Sequence, residues 1–179
     1  HHRRNYAPPH DAELRKNPGG NSFEASDNGS AANIVLPLAN LGVDSIFFIV
    51  VPNNSLGKSA VRMLRSNDVH CTPVILFTRE ETTTYRLGTY YLEAGYGIRH
   101  SKVTYGRRHS AITEYDFSKV DLNALLNGFD WLHLSGIAPT LSKSCARFIL
   151  NCLKKARGKG LTISFDRKIC AAVNKNRTL

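Results

Sequence analysis

The clearest pattern of apolar and polar positions lies between residues 130 and 166. An apolar segment at 131–134 predicts a short strand, residues 141–157 carry apolar positions at helical spacing, and residues 161–166 predict a second strand. Two apolar strands joined by a helix are typical of a parallel α/β sheet, in which ligands usually bind beyond the carboxyl ends of the strands. Here the polar or small residues at those ends are Ser135, Gly136 and Asp166.

The part of the chain before residue 70 continues this alternation of helices and strands. Residues 27–30 predict a turn that also offers an N-cap, and residues 31–41 predict a helix closed by Gly42 and kinked at Pro37. The continuous apolar run at 43–51 predicts a strand covered on both faces. A turn and a second helix are then predicted, at 52–57 and 58–66.

The middle of the chain has a different character. Three segments rich in Thr, Tyr and Val predict antiparallel strands, at residues 72–77, 83–93 and 102–105. We interpret about 72–111 as a small β lid added to the parallel layer. A loop and short helix at 116–126 are predicted to lead back to the strand at 131.

The amino-terminal segment lacks apolar periodicity. Residues 1–20 are rich in His, Arg, Asn and Pro, which predicts a tail rather than a metal site, and 22–26 predict a short strand. We therefore assign 1–20 to a tail and 21–179 to one α/β domain.

Composition narrows the partners only slightly. The formal charge of +10 would suit a polyanion, but the basic residues are scattered and form no basic-aromatic RNA-binding motif, so nucleic-acid binding is not favoured. An anionic small molecule also fits this charge. The longest apolar run, residues 46–51, has the length of a strand, so no membrane span is predicted. Four cysteines without C-x-x-C spacing favour reduced thiols and a cytoplasmic location.

Several catalytic sites are not supported by the sequence. There is no Walker loop, no Rossmann glycine fingerprint and no G-x-S-x-G elbow, and Ser135 has no recognisable His/Asp partner. His133 lies in the predicted strand facing the sheet interior, and we expect a core histidine with satisfied hydrogen bonds.

Five segments, taken in order, carry a resemblance to a known family. They are SFEASDNGSAANIVLPLANLG (22–42), VPNNSLGKSAVRMLR (51–65), RLGTYYLE (86–93), SKVTYGRRHSA (101–111) and DWLHLSGIAPTLS (130–142). Over about residues 22–166 the chain resembles the PfkB, or ribokinase-like, carbohydrate kinases, and within them the 2-keto-3-deoxygluconate kinases. The resemblance implies a ribokinase-like (Rossmann-like) α/β fold with a mostly parallel sheet, helices on both faces and a small antiparallel β lid. It also implies phosphorylation of a sugar acid by ATP with Mg²⁺, and often a homodimer through the lids.

The same resemblance implies substrate contacts at eight positions: Asn28, Gly29, Asn33, Tyr90, Tyr105, Arg107, Ser135 and Gly136. Glycine at a helix N-terminus lets backbone approach a sugar, tyrosines combine an aromatic body with a polar tip, and an arginine fork suits a carboxylate. From the residues alone, the same positions are also compatible with a capped helix, strand tyrosines, a surface arginine and an ordinary strand-to-helix turn.

The resemblance ends at the second strand of the opening unit. The family continues there into an Asp-x-Asn-x-Arg element, whereas this chain has Asp166, Lys168 and Cys170 at those positions. The family's glycine-rich anion hole and catalytic aspartate would lie beyond Leu179. We therefore expect the domain to be incomplete and the C-terminal ATP-binding half to be absent, with no catalytic residue assigned and little or no kinase activity for this chain alone. The alternatives are a non-catalytic sugar-acid-binding module and, from the charge, a polyanion binder.

Overall fold

The computed structural model describes residues 27, 29–71, 74–77, 85–95 and 97–167, with only the backbone of 74–77. The elements follow one another in this order: α1 (Ala32–Asn40), β1 (Ile49–Pro52), α2 (Ser55–Arg65), β2 (Val74–Phe77), β3 (Thr89–Glu93), β4 (Lys102–Gly106), α3 (Ala111–Glu114), a 3-10 turn (Phe117–Lys119), α4 (Leu122–Leu125), β5 (Trp131–Ser135), α5 (Ala138–Leu141), α6 (Lys143–Gly158) and β6 (Thr162–Asp166). The predicted tail at 1–20 and strand at 22–26 lie outside this part of the chain.

The described strands form three hydrogen-bonded pairs. β1 and β2 are parallel, as are β5 and β6, while β3 and β4 are antiparallel. The predicted parallel unit at 130–166 is therefore confirmed, with α6 as its crossover. The prediction that 72–77 is antiparallel is wrong, because Ile49 to Pro52 of β1 pair in parallel with Val74 to Phe77. Among the described residues of the middle segment, β3 and β4 form an antiparallel hairpin.

Strand β1 is shorter than predicted but is covered on both faces. Of the predicted strand at 43–51, only Ile49 onward belongs to β1, and Val43 and Ile46 before it are partly exposed. Val50 and Val51 point to opposite faces, as successive strand residues do. Val50 packs in one apolar cluster and Val51 in the other, so a strand covered on both sides is confirmed.

Two apolar clusters flank this strand. One lies against α1 and α2 and includes Leu36, Val61 and Leu64, with Leu64 only 1% exposed. The other surrounds α6, where the rings of Phe117 and Phe148 stack with centroids 4.6 Å apart. The described cysteines, Cys71, Cys145 and Cys152, are buried and not disulfide-bonded, as the prediction of reduced thiols requires.

Helix ends differ from the predictions where a side chain caps the backbone. α2 begins at Ser55 rather than at residue 58 because the Asn54 side chain accepts a hydrogen bond from the Gly57 amide at 3.0 Å. A Cβ at position 57 would overlap the Pro52 carbonyl, so glycine permits this close approach to β1. The predicted helix at 141–157 divides at Ser142, whose hydroxyl accepts from the Cys145 amide at 3.1 Å and starts α6.

Helix α1 matches its prediction except at its start. It ends before Gly42, which has a φ of +79°. At the other end, no described side chain caps the helix, so the predicted N-cap from 27–30 is not formed by the described residues of that turn. The backbone amide of Asn33 instead donates to the Gly29 carbonyl at 2.8 Å. The kink at Pro37 stays a prediction.

None of the described helices combines the length and the apolar character needed to cross a membrane.

Candidate functional site

A cavity of about 630 Å³ lies between the start of α1, β1 and the β3–β4 hairpin. Its floor is apolar and comes largely from residues 47–51 in and before β1. Its walls carry polar groups from the segment before α1, from the hairpin and from the end of β5. Apolar walls with a few convergent polar groups are typical of a small-molecule site.

Most of the predicted site residues meet at this cavity. The described residues that line it include Gly29, Asn33, Tyr90, Tyr105, Arg107 and Ser135. Gly136 is not among the lining residues, and its backbone amide donates to the Asp166 carbonyl at 2.8 Å, which extends the β5–β6 ladder. Asn28 lies outside the described residues. Whether the lining residues bind substrate remains a prediction.

The first wall is formed by the N-terminal end of α1. Gly29, Ser30 and Asn33 line the cavity there, so the positive end of the helix dipole faces it. The Ser30 hydroxyl lies 3.3 Å from the Ser135 hydroxyl and connects this wall to the end of β5. Amides and hydroxyls at such a helix end can hold an anionic or hydroxyl-rich ligand.

The second wall is one face of the hairpin. Tyr90 and Tyr105 are directly paired across the strands, with ring centroids 5.9 Å apart. Leu92 and Val103, the next pair on that face, also line the cavity. The guanidinium carbon of Arg107 lies 4.0 Å from the centre of the Tyr105 ring, a cation–π distance.

The structure separates Arg107 from the two basic residues that follow it. Arg107 is half-buried and lines the cavity, whereas Arg108 and His109 are exposed and do not line it. His109 instead forms a contact of 3.3 Å with the Glu114 carboxylate. Arg107 is thus the basic residue of this turn that faces the cavity.

Several lining residues escaped the sequence analysis as site residues: Asp27, Ser30, Arg86 and Ser110. The Asp27 carboxylate accepts a hydrogen bond of 2.9 Å from the Ser59 hydroxyl of α2. Asp27 and Ser30 flank the predicted Asn28-Gly29 turn, and Arg86 begins one of the five quoted segments, so position in a motif could have suggested them.

The charges on the described cavity walls favour an anion. Arg86 and Arg107 are cationic and Asp27 is anionic, while the other lining side chains are neutral. No cluster of three or more His, Cys, Asp or Glu side chains that could hold a metal occurs within the described ranges. The two arginines and the polar lining groups are compatible with an anionic ligand.

The imidazole of His133, in β5, does not have both ring nitrogens hydrogen-bonded within the described residues. Its Nδ1 is 2.8 Å from the Ser164 hydroxyl, and the Trp131 indole N–H donates to the same hydroxyl at 2.8 Å. The buried Nε2 has no hydrogen-bond partner in the described part of the chain. The expectation of a satisfied core histidine therefore holds for one ring nitrogen only.

Solved structures share this architecture. The 2-dehydro-3-deoxygluconokinase of Thermotoga maritima superposes with a TM-score of 0.80 at 35% identity, over 89% of this chain and 49% of that protein. A PfkB family carbohydrate kinase from Listeria grayi gives a TM-score of 0.78 at 33% identity, over 89% of this chain and 50% of that protein. These likenesses confirm the ribokinase-like α/β fold, of which the chain covers about half.

Sequence relatives agree with the structures. The chain is 28% identical to the 2-dehydro-3-deoxygalactonokinase of Haloferax volcanii over 81% of its own length and 43% of that protein. It is 27% identical to the 2-dehydro-3-deoxygluconokinase of Bacillus subtilis over 83% of its own length and 44% of that protein. The chain thus spans less than half the length of these relatives. The pattern of the pfkB family carbohydrate kinases matches residues 9–179, and the chain belongs to that family.

Proposed function

We propose that the cavity binds a sugar acid such as 2-keto-3-deoxygluconate, and that the chain supplies the substrate side of an ATP-dependent sugar kinase. The observation that carries this proposal is the Arg107 guanidinium, held 4.0 Å from the Tyr105 ring on the wall of the cavity. A guanidinium fork pairs with a carboxylate through two hydrogen bonds, and its rigid plane fixes the ligand's orientation.

The other walls would hold the rest of the sugar acid. The Asn33 side-chain amide can donate to and accept from hydroxyls. The Ser30 and Ser135 hydroxyls lie together at the same wall. The apolar floor from β1 excludes water from one side of the ligand, which strengthens these polar contacts. Holding the sugar in one orientation is the contribution to phosphoryl transfer that this arrangement supports.

ATP and Mg²⁺ enter this proposal through the family. When bound, they would supply the phosphoryl group and neutralise the charge that develops during its transfer. The described residues include no carboxylate cluster fitted to Mg²⁺. Since the chain spans less than half of its curated relatives, we expect the 179-residue chain alone to bind sugar acid with little or no kinase activity. ADP formation that depends on 2-keto-3-deoxygluconate would contradict that expectation.

Calorimetric titration of the chain tests the binding. 2-Keto-3-deoxygluconate is titrated in parallel with glucose, which has hydroxyls but no carboxylate. We expect the sugar acid to bind at least roughly tenfold more tightly, as for one charge-assisted contact. Equal binding of both sugars would refute the role of the carboxylate, and binding of neither would refute the site. Arg107→Gln should remove the preference for the acid.

We also propose a homodimer through the hairpin. Val103 and Tyr105, on its cavity face, remain 40% and 49% exposed, and Tyr91 on the other face is 41% exposed. Apolar area of this kind is suited to an interface. Sedimentation of the parent chain and of Val103→Glu should show a dimer only for the parent. A parent that stays monomeric at the highest soluble concentration would refute this proposal.

A further inference from the structure

We propose that Arg86 is a positioning residue for Arg107. Its guanidinium holds the turn that follows β4, and this turn sets the direction in which Arg107 enters the cavity. The inference rests on the proposed role of Arg107 in binding the carboxylate, and it assigns to Arg86 an indirect part in the choice between acidic and neutral sugars.

Arg86 contacts the turn with both its side chain and its backbone. The Arg86 Nε donates to the Arg108 carbonyl at 3.0 Å, and Nη2 donates to the same oxygen. The Arg86 carbonyl accepts from the Ala111 amide at 3.0 Å. Arg86, which precedes β3 in the chain, therefore holds the turn on both sides of His109.

The turn is one that needs such support. His109 has a φ of +55°, in the left-handed region that residues with a side chain rarely adopt. A second residue also holds this turn: the Ser110 hydroxyl donates to the Arg107 carbonyl at 2.9 Å, and Ser110 is 1% exposed. The carbonyls of Arg107 and Arg108 are thus each held by a donor, which fixes the backbone that carries the Arg107 side chain.

Gly106 leaves space for the Arg86 guanidinium to reach the Arg108 carbonyl. A Cβ at that position would lie 3.3 Å from the Arg86 Nη1 and 3.2 Å from the Thr89 Oγ1, closer than most Cβ contacts. Gly106→Ala should therefore push the guanidinium away from the Arg108 carbonyl without removing any charge. Gly106→Ala is thus a second, independent way to disturb the contact between Arg86 and the Arg108 carbonyl.

Arg86 also lines the cavity, so a direct contact with the ligand is the competing explanation. The two roles make different predictions. A positioning residue acts through Arg107, so its loss matters little once Arg107 is gone, and it orders the turn before any ligand binds. A direct ligand contact adds to that of Arg107 and leaves the empty turn unchanged.

The test combines calorimetry and hydrogen exchange on the full 179-residue chain. Arg86→Gln, Arg107→Gln, the double variant and Gly106→Ala are titrated with 2-keto-3-deoxygluconate. Arg108→Gln is the control, because it removes one positive charge from the turn itself but leaves in place the backbone carbonyl that Arg86 contacts. Amide exchange of residues 108–112 is measured without ligand.

We expect Arg86→Gln and Gly106→Ala to weaken binding by roughly tenfold, and the double variant to bind about as weakly as Arg107→Gln. Exchange in the turn should quicken in Arg86→Gln and Gly106→Ala, and stay unchanged in Arg108→Gln. Additive losses with unchanged exchange would overturn the inference in favour of direct contact. Unchanged affinity and exchange in Arg86→Gln would overturn it outright.

A parent chain that binds no sugar acid would refute the proposed function, and with it the role of Arg86 in sugar-acid binding. The exchange measurement would still decide whether Arg86 holds the turn, since it uses no ligand.

Discussion

The hydroxyl oxygens of Ser30 and Ser135 lie 3.3 Å apart, although the two residues are separated by 105 positions in the chain. The contact joins the segment before α1 to the last residue of β5. The Ser135 hydroxyl also accepts a hydrogen bond of 3.4 Å from the Ile137 backbone amide. One hydroxyl therefore helps to hold two walls of the cavity and the turn after β5.

Removing the Ser135 hydroxyl should lower stability. Ser135 is 8% exposed, so Ser135→Ala leaves the groups around it without a partner, and we expect a loss of about 1 kcal/mol in the free energy of unfolding. When Ser30→Ala is already present, adding Ser135→Ala should lower the free energy of unfolding by less, because the contact between the two hydroxyls is already gone. Urea unfolding of the two single variants and the double variant measures this. Exposed Ser55→Ala is the control, and fully additive losses would contradict the contact.

The ring of Tyr105, rather than its hydroxyl, should matter for sugar-acid binding. Tyr105→Phe keeps the face on which Arg107 lies, whereas Tyr105→Ala removes a cation–π contact of about 0.5–2 kcal/mol and frees the guanidinium. We expect calorimetry to show a clear loss of affinity for Tyr105→Ala and a smaller one for Tyr105→Phe. Tyr91→Ala, on the opposite face of the hairpin, should bind like the parent. Equal losses for the Phe and Ala variants would assign the effect to the hydroxyl.

The start of α2 should depend on the Asn54 side chain. Asn54→Ala leaves the Gly57 amide without its 3.0 Å partner, and we expect a loss of about 1 kcal/mol in unfolding free energy. Asn54→Ser is the matched control, since serine also caps helices well and should keep most of that stability. Chemical denaturation measures the free energy of unfolding of the parent, Asn54→Ala and Asn54→Ser. Equal values for Asn54→Ala and the parent would show that the cap contributes nothing.

Burial of Cys152 should make stability depend on pH in the alkaline range. Desolvation raises the pKa of this thiol from an ordinary value of 9.0 to about 12. The contribution of the neutral thiol is fully present below the unfolded-state pKa near 9.0 and is lost as the pH rises to the folded-state pKa of about 12, because the unfolded chain releases its proton first.

The comparison with Cys152→Ala isolates this effect from other groups that titrate in the same range. We expect the stability difference between the parent and Cys152→Ala, measured by urea unfolding, to stay constant from about pH 7 to about pH 8 and to shrink above about pH 9. A difference that stays constant up to about pH 10.5 would show that the thiol ionises equally easily in both states.

The sequence predicted best where an element and its partner are close together in the chain. The unit around α6 was predicted nearly in full, because its strands, helix and turns follow one another directly. β2 was assigned to the wrong kind of pair, since its apolar residues suit either pairing and the partner, β1, is chosen by tertiary packing. The early start of α2 was missed because Asn54 caps a helix in a segment that also fits a turn.

The candidate site shows the same limit. Residues inside recognisable motifs, such as Tyr105 and Arg107, were placed at the cavity by resemblance, and the structure brings them there. No sequence pattern singles out Arg86, because its contact is with the Arg108 carbonyl, which lies 22 positions away along the chain and on the other side of the β3–β4 hairpin. Such a contact leaves no periodic signal in the sequence.

The distance along the chain between Ser30 and Ser135 has a consequence for folding. Contacts within the β5–α6–β6 unit, such as that of His133 with Ser164, close a segment of 31 positions, whereas the two serines close one of 105. Longer closures cost more chain entropy and tend to form later. We therefore expect the parallel strand units to assemble first and the cavity to close last, so that a chain arrested late in folding would have native strands but no cavity.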